Sequence, residues 1–175
     1  VRLNLGPFEQ TFEENRAFFT EGVELFDKGE IFFSRRIGSP PSGTIEDLNP
    51  NEAIIEAPSN ANILNAVKVS GRTKKGLGVG FLNSITKRTY ATIRDSVTGS
   101  TQKRLIEPIT NYNVFVVDQV FNGNSSVSFI NTNVLRDGSD YRDANVTAGV
   151  FSIADKENRF RTSGRAIVSN VNEGD

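Results

Sequence analysis

Four arginines carry the most chemistry that this sequence offers. Arg35 and Arg36 are adjacent, and Arg161 and Arg165 stand four residues apart in an alternating run. A guanidinium presents a planar fork of donors that matches carboxylate or phosphate oxygens. Arg35 and Arg36 are therefore candidates for contact with lipid phosphate or an anionic solute. The plainer expectation for them is a structural ion pair with Glu13, Glu14 or Glu21. Arg161 and Arg165 share one face of a strand. In a barrel with apolar residues toward lipid they face the lumen, where charged side chains tune passage or anchor a plug. In a soluble sheet the same pair is a solvated face. On the lipid side an arginine would cost ~2–4 kcal/mol at the midplane, which argues against that orientation.

The carboxylates offer less. Glycoside hydrolysis uses two of them across a cleft. Glu13 and Glu14 are neighbours and would point in different directions on a helix. With Arg16 and Glu21 they read as an acidic helix N-terminus. Asp137, Ser139, Asp140 and Asp143 crowd one loop and could offer oxygen to Ca²⁺, but they match no EF-hand spacing and read as a solvated turn. Arg72, Lys74 and Lys75 form a basic hairpin end. Gly76-Leu77-Gly78-Val79-Gly80 lacks the helix and lysine of a phosphate loop and reads as close packing or a kink in a sheet wall. There is no His and no Cys, which excludes a Ser-His-Asp triad, thiolate chemistry and disulfides. We assign no catalytic residue, no cofactor and no metal site, and read the chain as not an enzyme. Lys and Arg total 20 against 21 Asp and Glu, so a basic nucleic-acid surface is not expected either.

What must position these residues is a set of strands. Residues 62–71, 76–87, 110–121, 125–135, 144–154 and 159–170 are rich in Val, Ile, Thr and Phe, with Gly, Asn and Asp between them. Leu77, Val79, Phe81 and Ile85 fall on one face of the second run, and Gly78, Gly80 and Ser84 on the other. Phe160, Gly164, Ala166 and Val168 oppose Arg161, Ser163, Arg165 and Ser169 in the last. Residues 72–75, 122–124 and 155–158 make short connections, and Asn122-Gly123 is a strong hairpin signal. Residues 88–109 and 136–143 make long ones. Alternating short and long connections between strands of about ten residues is the pattern of an outer-membrane barrel. Six strands cannot close one, since about eight are needed. A soluble sandwich or barrel shares the period of two, and pattern alone leaves both open.

Residues 1–60 differ from 61–175. Seven of the 13 Phe lie between Phe8 and Phe33 among many charges. Thr11-Phe12-Glu13-Glu14 has the form of a helix start, predicting a helix over 13–25. Ile31–Arg36 predicts a short strand, and residues 44–60 a loop. The longest apolar run, Val114–Val117, is far below the ~18 residues of a membrane helix. The first residue is Val, and we read the chain as a fragment or the ordered part of a longer one.

An ordered set of segments resembles one family. These are Phe12–Gly22, Phe33–Gly38, Ile63–Thr73, Gly76–Asn83, Glu107–Tyr112 and Gly123–Val127. They are similar to Bacteroidetes outer-membrane proteins that join a family-9-type carbohydrate-binding module to a C-terminal β-barrel of unknown function. Glu13, Asn15 and Ala17 depart from that family's pattern, which tends to Pro and Lys there. The resemblance implies an all-β fold, an antiparallel up-and-down transmembrane barrel segment in the bacterial outer membrane. Residues 1–60 would be the Phe-rich lead-in, packed against the wall or plugging the lumen. Residues 61–175 would be barrel hairpins. The implied partners are outer-membrane lipid, further strands and an upstream carbohydrate-binding module of the same protein, and other outer-membrane proteins. The expected role is channel, transport or surface anchoring. A soluble all-β binding module and a hydrolase fragment using Asp and Glu are the alternatives.

Overall fold

A computed structural model describes residues 14–43, 45, 48–138 and 141–172. Strands dominate them, in two antiparallel sheets. Six strands form the larger sheet: β2 (Ile63–Arg72), β3 (Leu77–Thr86), β6 (Thr110–Phe121), β7 (Ser125–Arg136), β8 (Asp143–Ala154) and β9 (Arg161–Asn172), neighbours in that order. Their Val, Ile, Phe and Thr side chains fit a pleated surface, and each strand is 10 or 12 residues long. The sheet is open, with β2 and β9 as its edges.

Local chemistry closes the hairpins. Asn122 and Gly123 both take left-handed backbone (φ 53° and 76°), as the tight turn after β6 demands. Gly76 has φ 85°, and a Cβ there would meet the Val120 carbonyl oxygen at 2.4 Å, so no side chain fits before β3. The antiparallel order puts the turns after β2, β6 and β8 at one end of the sheet. The links β3–β6 and β7–β8 lie at the other.

The register sorts the side chains into two faces. One row of the inner face reads Arg72, Gly78, Asp118, Ser128, Val150, Arg165 from β2 to β9. The next rows add Val116, Ile130 and Ala148, then Leu82 and Val114, all buried. Phe19, Leu25, Phe26 and Ile37 from the lead-in complete this core. The outer face carries Leu77, Val79, Phe81, Phe115, Val127, Phe129 and Phe151, all exposed.

The lead-in differs from its expectation. Instead of a helix over 13–25 there is α1 (Ala17–Thr20), then a 3₁₀ turn at Val23–Leu25. Gly22 between them has φ 59° and breaks the helical path. The apolar residues lack a full 3.6-residue stripe, so docking Leu25 and Phe26 on the sheet decides the conformation. Thr11, Phe12 and Glu13 of the capping signal lie outside the described residues. Ile31–Arg36 is not a strand: Ser34–Arg36 is a 3₁₀ turn, and Arg16 donates to the carbonyls of Ser34 (2.9 Å) and Ile37 (2.6 Å).

Two expected loops contain strands. β1 (Glu52–Glu56), β4 (Thr89–Asp95) and β5 (Thr101–Glu107) form a three-stranded sheet in the order β1-β4-β5. Ala91 and Ile93 on β4 are fully buried. Residues 44–60 and 88–109 are thus joined by backbone pairing, Ile54 opposite Ile93.

Candidate functional site

The inner face of the six-stranded sheet and the segment lying on it bring several charged side chains together. The segment follows a U. Arg16 starts it at the long-link end. There Arg16 Nη1 and Ile63 Cγ1 each lie 3.6 Å from the Cβ position of Gly38. Gly22 passes Ser70, and Leu25 and Phe26 then lie over Gly78 and Gly80, whose Cβ positions they approach to 2.7 and 3.0 Å. Those glycines make the wall thin enough to admit a leucine and a phenyl ring. Gly29 reaches Val150 on β8. The chain then returns through Phe32 and Ile37 to the long-link end, where Ala61 N–H donates to Ser39 O.

Asp118 anchors the bottom of the U. Its side chain is fully buried. It accepts from Ser128 Oγ (2.7 Å) and Arg72 Nη2 (2.5 Å), and Lys28 Nζ of the segment lies 3.8 Å away. Lys68 Nζ donates to the carbonyls of Phe18 and Glu21. Arg165 Nη1 donates to Gly29 O (2.9 Å) and stands 3.7 Å from the Glu30 carboxylate. Arg161 donates to Ser152 Oγ (3.0 Å) on β8. Arg161 and Arg165 therefore lie on the inner face, and Arg165 reaches the segment itself.

A cavity of about 690 Å³ opens at the long-link end of the U, lined by Glu14, Asp27, Phe33, Arg35, Arg36 and Asn60 among others. Arg36 stands over the Phe33 ring, 5.3 Å from its centroid. Glu14 is held by Arg16 Nε (2.8 Å) and Nη2 (2.7 Å) and by Ser34 Oγ (2.7 Å). The Arg16 hydrogen bond leads in holding the Glu14 carboxyl down at about 2; burial opposes it, and Ser34 and the Arg16 N–H add to it. Its carboxylate thus fastens Arg16 to the turn at Ser34–Arg36.

The other candidates scatter. Asp137 pairs with Arg88 and Asp143 accepts from the Arg136 N–H (2.8 Å). Ser139 and Asp140 lie outside the described residues, as does Glu13. Among the described residues no group of three or more acidic, His or Cys side chains is placed to hold a metal ion. Arg72 bonds Asp118 and the Gly76 carbonyl. Sequence reasoning missed Asp118, Lys68 and Lys28. Asp118 had a signal, being a lone carboxylate just after the apolar run Val114–Val117. Lys68 and Lys28 had none, because their partners are backbone carbonyls and a residue 90 positions away.

This arrangement sets the cations Lys68, Arg72 and Arg165 along one face of the sheet, against the segment that lies on it. No curated protein and no solved structure matches the chain. A family model described as a domain of unknown function (DUF5916) matches residues 1–175, and the chain belongs to that family.

Proposed function

We propose that this chain is part of an outer-membrane β-barrel with a channel, transport or surface-anchoring role, and that the six-stranded sheet is its wall. One observation carries the reading. On the covered face Gly78, Gly80, Ser84, Thr86, Asp118 and Ser128 are buried beside Leu82, Val114, Val116 and Ile130. It leaves its apolar face open, with Val69 64%, Phe81 43%, Phe115 41% and Phe129 46% exposed. A one-layer soluble sheet turns polar side chains outward, so an apolar open face suits strands with hydrocarbon outside. The alternation of short turns and long links agrees with it. On this reading outer-membrane lipid and the remaining wall are the partners. A carbohydrate link enters only through the upstream module that the sequence resemblance implies. The chain itself performs no catalytic step.

The test is on the full-length protein. The outer-membrane fraction, separated by density, should release it only in detergent, and its mobility on SDS gels should shift on boiling. Recovery without detergent and with no shift would sink the reading.

One observation favours a second reading, a soluble all-β module. Asn83, Asn113, Asn133, Asn145 and Asn170 align in a single row across β3, β6, β7, β8 and β9 on the outer face. Asn83 donates to Asn113 (2.8 Å) and Asn111 (2.7 Å), and Asn131 to Asn145 (3.1 Å). A row of amides suits water or a polar protein layer better than hydrocarbon. In the barrel it would have to lie at the headgroup level of the long-link end. A soluble, unshifted protein would move this second reading to first place.

A further inference from the structure

Resting on the barrel reading, we infer that the inner face is a passage for small carboxylate-bearing solutes, and that residues 14–38 are a re-entrant plug with an acidic bend that occupies it. The sheet's inner face carries Lys68, Arg72, Arg136, Arg161 and Arg165 against Asp118, with the Glu107 carboxylate of β5 3.8 Å from Arg136. Such a wall, inside a low-dielectric barrel, concentrates anions. The bend of the U is of the opposite sign: between 21 and 30 it carries Glu21, Glu24, Asp27 and Glu30 against Lys28 alone. One side-chain pair uses that complementarity, and Lys68 adds backbone contacts. Glu30 stands by Arg165, and Lys68 holds the carbonyls of Phe18 and Glu21. The segment takes the place that a carboxylated solute would take on the same cations.

The path of the segment makes withdrawal feasible. Both arms lie at the long-link end, where Arg16 holds the carbonyls of Ser34 and Ile37 and Ser39 bonds Ala61. The U can leave as it entered, without threading the wall. Only the bend reaches the row of Arg72, Asp118 and Arg165, and there the contacts are largely charged and so weaken with salt. Leu25 and Phe26 lie over Gly78 and Gly80 and also belong to the buried core with Leu82, Val114, Val116 and Ile130, which withdrawal must uncover once the charged contacts of the bend release.

The chain has no cysteine, so Leu25→Cys with Gly78→Cys puts a single pair of thiols in it. Leu25 Cδ2 lies 2.7 Å from the Gly78 Cβ position, so the two side-chain positions adjoin, and loss of free thiols on oxidation reports that the bond has formed. The full-length protein carrying this pair is reconstituted in planar bilayers under a potassium succinate gradient at high ionic strength. The reduced form should pass about tenfold more current than the oxidised form, with a reversal potential on the anion side. Insertion with equal currents in both redox states overturns the plug and leaves the barrel reading standing, and so does a cation-side potential. Absence of a heat-shifted, membrane-inserted wild-type protein overturns the barrel reading and this inference with it. Where the cysteine pair itself fails to insert, Asp118→Asn with Arg165→Gln replaces it. That variant should raise the low-salt current about tenfold by releasing the bend, and an unchanged current overturns the plug.

Discussion

The two faces of the six-stranded sheet are built from the same strands and obey opposite rules. Toward the lead-in, side chains of every kind are buried: Gly78 and Gly80 under Leu25 and Phe26, Asp118 under Lys28 and Arg72, and Val116 and Ile130 in the core. Away from it they are large, apolar and open: Phe81 beside Phe115, Val127 beside Phe151. The alternation in the sequence is identical in both directions, because a period of two does not say which face is wet. The difference teaches that the covered face is specified by fit, through missing Cβ atoms and paired charges. The open face is specified only by its affinity for something apolar.

The largest expected effect breaks the open face. Phe115→Arg puts a cation among exposed aromatics on a central strand. If that face meets hydrocarbon, it loses ~2–4 kcal/mol, read as a lower urea midpoint for folding into lipid vesicles. If the face meets water, the change stays within about 0.5 kcal/mol. A small effect in vesicles would therefore end the barrel reading without disturbing the inner face.

The next sharpens the covered face. Asp118→Ala removes a fully buried carboxylate and leaves Arg72, Ser128 and Lys28 without their acceptor. Both cations are about a third exposed and can rehydrate, so we expect a loss of about 2 kcal/mol rather than the full cost of breaking a buried pair. Faster protease cleavage within 14–38 should accompany it. Stability unchanged by the variant would mean that the segment rests on its apolar contacts alone. Those contacts are probed by Gly80→Val. A Cβ at Gly80 already stands 3.0 Å from the Phe26 ring, so the added methyls force the ring out at a cost of about 1–3 kcal/mol. The outer face should be untouched, so vesicle insertion should persist while protection of the segment falls.

How much of this the sequence tells depends on where each feature's cause lies. The six long strands were readable almost to the residue, as β6 (Thr110–Phe121) shows, because alternation and Asn122-Gly123 are local. Arg161 and Arg165 could be put on one face by parity, but not next to Gly29 and Glu30, since that contact spans more than 130 residues. β4 was missed although Thr89, Ala91 and Ile93 alternate and its partner β5 follows directly, because both are only seven residues long, and its other partner β1 lies beyond β2 and β3 in sequence. The helix expected over 13–25 failed for the converse reason. Its local signals were real, but its apolar residues had a better surface to cover on the sheet.

The smallest effect tests whether the arms of the U are fastened separately from its bend. Glu14 bonds Arg16 and Ser34 at the long-link end, and its carboxyl is held down at about 2 against an ordinary 4.5. A depressed carboxyl stabilises the fold fully above the unfolded value and loses that contribution as pH falls through the folded one. The fastening should therefore be intact above pH 4.5 and fade between 4.5 and about 2. Solvent reaches the pair, with 13% of the Glu14 side chain and 37% of the Arg16 side chain exposed, so screening reduces its worth to about 1 kcal/mol. Glu14→Gln should remove that much at neutral pH and flatten the acid dependence over this window, measured as protease resistance of residues 14–38. The same loss in both proteins on acidification would place the acid sensitivity elsewhere, with Asp118 at the bend the first residue to examine.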